Sequence, residues 1–66
     1  MTTFSNRVVV TLDLPPLQAR ALAQLVKRIG WTELRQNAQD DEEAYDMRNA
    51  VQELQNALAL AGYAPR

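Results

Sequence analysis

Residues 7–14, Arg-Val-Val-Val-Thr-Leu-Asp-Leu, are the one stretch of this chain that alternates with a period of two. Val8, Val10, Leu12 and Leu14 fall on one side, with Arg7, Val9, Thr11 and Asp13 on the other. Rich in β-branched residues, the stretch reads as a strand. A lone strand cannot satisfy its own backbone N–H and C=O groups. The expected partner is the same segment of a second chain, with Val8, Val10 and Leu12 at the interface of a homodimer.

Everything after this segment reads as helix. Pro15-Pro16 stops the strand and suits the first turn of a helix. The spacing predicts a first helix over 16–29, with Leu17, Ala21, Leu22, Leu25, Val26 and Ile29 on its apolar face. Gly30 is expected to close it in the left-handed conformation. Thr32 then caps a short helix over 33–38, with Glu33 favourable in its first turn. Asp40 opens a long helix over 41–61, and Glu43 three positions on completes a capping-box pattern. Ala44, Met47, Val51, Leu54, Leu58 and Ala61 follow at alternating steps of three and four, an a/d seam of nearly three heptads. Met47, Val51, Leu54 and Leu58 are therefore expected to meet a second chain, and Ala50 and Ala57 leave room for a helix to approach. Gly62 ends the helix. The expected architecture is α+β and mostly helical: a single domain over 1–66 in the order β-α-α-α, its strand paired across a homodimer.

A second chain also answers a problem of size. A domain of 66 residues buries only about 60% of the surface its unfolded chain exposes, and small domains usually add a disulfide, a metal or a partner. Cysteine and histidine are both absent. Their absence excludes disulfides, thiolate nucleophiles, zinc fingers and Ser-His-Asp catalysis. No glycine-rich phosphate loop or marked carboxylate pair is present either. Neither an enzyme nor a cofactor is expected.

Charge is unevenly divided. Residues 1–35 carry five basic side chains (Arg7, Arg20, Lys27, Arg28, Arg35) against two acidic ones, whereas residues 36–66 carry two against six. The whole chain, at −1, lacks the basic excess that sequence-independent binding to a polyanion requires. No basic segment followed by an apolar one suggests a signal peptide, and no apolar run approaches membrane-spanning length. The expected location is the cytoplasm, without membrane contact.

Three sets of residues could carry function. Asp40, Asp41, Glu42 and Glu43, with Asp46, offer carboxylate oxygens to a hard cation. They lack the EF-hand spacing, and acids at a helix start are favoured by its dipole alone. No metal is expected, and the same acids could instead form a surface for a protein partner. Arg20, Lys27, Arg28 and Arg35 could meet phosphates, pair with those acids, or simply be solvated while their stems cover apolar surface. Trp31 is either core or, if exposed, the best candidate for an interface anchor. Tyr45 and Tyr63 share that ambiguity.

Two resemblances add to this reading. From Arg7 to Ala38, strand, proline, helix and the turn Gly30-Trp31-Thr32-Glu33-Leu34 resemble ribbon-helix-helix DNA-binding proteins. That resemblance implies an antiparallel ribbon from two chains, with Arg7, Val9 and Thr11 toward the bases and the amides near Thr32 and Glu33 at a phosphate. Asp13 and Val9 depart from it, because a ribbon that reads bases uses Arg, Lys, Asn or Gln. Segments Lys27–Trp31, Glu43–Arg48 and Ala61–Arg66 look like short proteins of proteobacterial plasmids and integrative elements, which implies an accessory role on a mobile element.

The functional expectation is a non-enzymatic module that binds a protein partner, as regulator or inhibitor of a host or defence complex. Trp31, Tyr45, Asp40, Asp41, Glu42 and Glu43 would carry that contact. The alternatives are a dimeric repressor contacting DNA through Arg7, Thr11, Arg20 and Lys27, and a purely structural assembly module.

Overall fold

The computed structural model describes residues 7–63, and three helices account for the regular structure among them: α1 (Pro16–Arg28), α2 (Trp31–Asn37) and α3 (Asp41–Leu60). Pro16 occupies the first turn of α1, where its missing N–H leaves no bond unmade, and the Pro15 carbonyl accepts from the Ala19 amide at 3.0 Å. α3 is the longest element, about 30 Å at 1.5 Å per residue. α1 and α2 each pack on it and not on each other.

The expected strand does not form. Residues 7–15 precede α1 without regular structure, and no described residue belongs to a strand. The β-α-α-α order, and with it the ribbon that the ribbon-helix-helix resemblance implied, gives way to three helices. The physical reason lies in the same segment: its one alternating stretch has no second strand among the described residues to bond with. Its alternation still has a consequence, because Val8, Val10, Leu12 and Leu14 all line one groove against α3.

Both interhelical joints differ in detail from the expectation. Gly30 is extended, with φ −108° and ψ 177°, and it caps the start of α2 instead of closing α1 in a left-handed turn. Its amide donates to Glu33 Oε1 at 2.7 Å, and a Cβ at this position would lie 3.0 Å from that oxygen. That oxygen ends a flexible side chain, so a small residue at 30 would be met by a slight shift of Glu33. α2 accordingly starts two residues before the expected position, with Thr32 inside it. At the second joint Asp40 caps α3 as expected, accepting from the Glu43 amide at 2.9 Å. Glu43 reaches back one residue further than a capping box requires, to the Gln39 amide at 2.7 Å.

The C-terminus of α3 follows the glycine rule. Gly62 has φ 94°, and the Gly62 and Tyr63 amides donate to the carbonyls of Ala59 and Leu58 at 3.0 and 2.8 Å. This is the Schellman arrangement, completed by an apolar contact between the residues at its ends. Tyr63 supplies that contact by packing against the cluster that contains Leu58.

The core is small and built around alanine. Ala23, Val26 and Leu58 form its centre, with Leu22, Val51, Leu54 and Tyr63 packed around them. Ala19, Leu34 and Ala44 complete the buried residues, and Ala44 is fully enclosed. On α1 the inward-facing residues are Ala19, Ala23 and Val26, two of them small. Leu17, Ala21 and Leu25, expected on its buried face, are exposed. The seam residues Val51, Leu54 and Leu58 meet α1 of their own chain, and Met47 is half-buried beside them on α3.

Candidate partner-binding cleft

Trp31 opens α2 and Tyr45 sits in the second turn of α3. Their ring centroids are 4.9 Å apart with planes tilted by 40°, a geometry within the favourable range for aromatic pairs. One turn further along α3, the Arg48 guanidinium lies 5.0 Å from the centre of the Tyr45 ring, a cation–π arrangement. Both aromatic rings remain substantially exposed, Trp31 at 40% and Tyr45 at 49%. They therefore join two helices while presenting apolar surface to the outside.

These side chains edge a cleft of about 370 Å³ where the end of α1 and the start of α2 meet the middle of α3. Val26, Ile29, Leu34 and Val51 supply its apolar lining, and Gln52 and Gln55 add neutral polar groups. Its charged lining residues are Lys27 and Arg48, both positive. No carboxylate among the described residues lines it. Lys27 also lies in the last turn of α1, where a cation is favoured by the helix dipole.

The acidic start of α3 is largely engaged in holding the fold. Asp40 caps the helix, Glu43 satisfies the Gln39 amide, and Asp41 pairs with Arg35 Nε at 2.7 Å. Arg35 also donates to the Ala38 carbonyl at 3.2 Å, so it ties the end of α2 to the start of α3. Glu42 is exposed on the first turn of α3. Of the expected partner-binding residues, the structure brings Trp31 and Tyr45 together and places Asp40, Asp41 and Glu43 in the α2–α3 joint.

The residues expected for nucleic acid are spread out. Arg7 and Thr11 are exposed in the segment before α1, and Arg20 and Lys27 are exposed on α1 two turns apart. Of the expected dimer residues, Val8, Val10 and Leu12 are exposed along the groove and Leu54 and Leu58 line it.

Arg48 was missed from the sequence, although its spacing of three from Tyr45 on one helix puts the two on a common face. Lys27 was singled out only for its charge. Its place beside the aromatic pair depends on how α1 meets α3, which helical periodicity does not specify.

The described residues form a small helical fold with an aromatic, cationic cleft on its surface. Over residues 1–66 the chain matches a family model described as "Family of unknown function (DUF7706)", and it belongs to that family. No curated protein and no solved structure matches it. No helix among the described residues is long and apolar enough to cross a membrane.

Proposed function

We propose that this protein is a non-enzymatic, cytoplasmic protein-binding module whose cleft holds an acidic segment of its partner. The observation that supports this reading is the lining of the cleft: exposed Trp31 and Tyr45 over an apolar floor, with Lys27 and Arg48 as its charged groups. Aromatic and arginine side chains dominate binding hot spots. Arg48, lying over Tyr45, can still donate its N–H groups to a carboxylate, and such charge-assisted bonds are stronger than neutral ones. A segment with one or two carboxylates beside an apolar side chain matches both halves of the surface. An accessory role on a mobile element, as regulator or inhibitor of a host complex, is part of the same proposal and rests on the resemblance to short plasmid proteins.

Trp31 is the sole tryptophan, so its emission reports on the cleft directly. The test selects peptides from a random display library and titrates the selected peptides while following that emission. Acidic peptides that shift Trp31 emission, and lose affinity at least tenfold against Lys27→Glu/Arg48→Glu, are the expected outcome. Selected peptides without acidic residues, or binding that leaves the emission and the charge-reversed variant unaffected, would refute the reading. So would tighter binding of a single-stranded oligonucleotide in the same cleft.

A further inference from the structure

A second surface, separate from the cleft, is the groove between residues 8–14 and α3. Its volume is about 660 Å³, and its apolar lining includes Val8, Val10, Leu12, Leu54, Ala57 and Leu58. The first three are 84%, 76% and 56% exposed, so the groove is open along the extended segment. Its charged lining residues are Asp13 and Glu53, both acidic.

The far face of α1 has the complementary character. Leu17, Ala21 and Leu25 recur every four residues along it and are exposed, Leu17 at 75% and Leu25 at 57%. Arg20 and Arg28 lie on the same exposed side. The one ion pair among the described residues is Arg35–Asp41, so neither these arginines nor Asp13 and Glu53 are neutralised within that part of the chain.

From this juxtaposition we propose that the groove receives the Leu17–Ala21–Leu25 face of α1 from a second copy of the chain. Charge decides between the ways two copies could meet. Groove against groove would bring the Asp13 and Glu53 carboxylates of both copies together with no cation among the described lining residues of either. Groove against α1 sets acids opposite Arg20 and Arg28 while covering leucine and valine on both surfaces. If each copy gives its α1 and receives the other's, the contact closes as a dimer with twofold symmetry. The contact joins helix to groove through side chains and involves no strand pairing. It also addresses the imbalance among the described residues, in which nine large apolar side chains are exposed and only Val26, Leu34 and Leu58 among the large ones are buried.

Sedimentation equilibrium of the full chain is expected to give twice 7.4 kDa. A monomer at every concentration reached would overturn the proposal. Leu17→Glu/Leu25→Glu removes the inserted face and Ala57→Arg fills the groove, and all three positions are exposed in the single chain. Each variant alone is expected to be monomeric, and an equal mixture is expected to associate through its one intact groove and one intact face. A mixture that stays monomeric would count against it. A second measurement avoids any effect on folding by using the absence of cysteine in the natural chain. On mild oxidation of mixed Leu17→Cys and Ala57→Cys chains, the mixed disulfide should exceed the statistical half of all dimers. An excess of 17–17 or 57–57 products would overturn the assignment.

Discussion

Trp31 and Tyr45 approach with ring centroids 4.9 Å apart, and this contact joins the first residue of α2 to the second turn of α3. α2 is only seven residues long, too short to be stable as an isolated helix. It is held at one end by the Trp31–Tyr45 pair and at the other by Arg35, which bonds Asp41 and the Ala38 carbonyl. The same aromatic pair edges the cleft, so the surface proposed to meet a partner is also a structural clamp.

Trp31→Ala is therefore expected to do two separable things. Loss of the aromatic pair should destabilise the chain by about 1 kcal/mol, which lowers the melting temperature of a domain this size by about 4–8 °C. Binding of a cleft-directed peptide should fall by far more than that loss explains. Trp31→Phe should recover most of the stability. Thermal denaturation followed by circular dichroism, beside a peptide titration monitored by anisotropy, separates the two effects.

At the opposite side of the α2–α3 joint, Asp40 holds the Glu43 amide with its carboxylate. Asp40→Ala is expected to cost about 1 kcal/mol, whereas Asp40→Asn keeps an oxygen acceptor and should cost a few tenths at most. Urea titrations of the three chains test this. Equal losses for Ala and Asn would show that charge at the helix start matters more than the capping bond.

Some of this structure was legible in the sequence, and particular residues show why. Pro16, Asp40 and Gly62 mark helix ends because their local chemistry is nearly independent of what packs nearby. The alternation of Val8, Val10, Leu12 and Leu14 grouped on one face four residues that do line one groove, although Asp13 from the opposite set lines it too. It could not tell whether that face meets another strand or a helix, since the pattern is the same for both. On α1 the apolar face read from periodicity was right for Leu22 and Val26 but lay partly rotated from the buried one: Leu17, Ala21 and Leu25 are exposed, while Ala19 and Ala23, too small to stand out in the pattern, face inward. Of the cleft, Trp31 and Tyr45 were visible as candidates, but their contact with each other depends on the packing of α2 on α3.

Gly62 is where glycine's backbone freedom matters most. At φ 94° a side chain is strained, and a Cβ there would meet nothing within 4 Å. The cost of Gly62→Ala is thus conformational alone, about 1–2 kcal/mol. It should appear as fraying of the last turn of α3, with faster amide exchange at Gly62 and Tyr63, whose N–H groups close the Schellman bonds. Unchanged exchange at both amides would contradict this account of the helix end.

Val10 and Leu58 test the corrected fold most directly, because the strand reading and the helical structure assign Val10 opposite importance. Were residues 7–14 a strand buried in a dimer ribbon, Val10→Asp would unfold the chain. In the structure Val10 is 76% exposed, so Val10→Asp should change the stability of the helices by no more than about 0.5 kcal/mol. It should still weaken self-association, since Val10 lines the groove proposed to receive α1. Leu58 sits in the central cluster and contacts the Tyr63 lock at the end of α3. Leu58→Ala should cost about 2–5 kcal/mol, a large part of the roughly 3–10 kcal/mol available to a chain of this length. The urea midpoint, followed by helical ellipticity, should therefore stay near that of the natural chain in Val10→Asp and fall steeply in Leu58→Ala. The reverse order would restore residues 7–14 to the core.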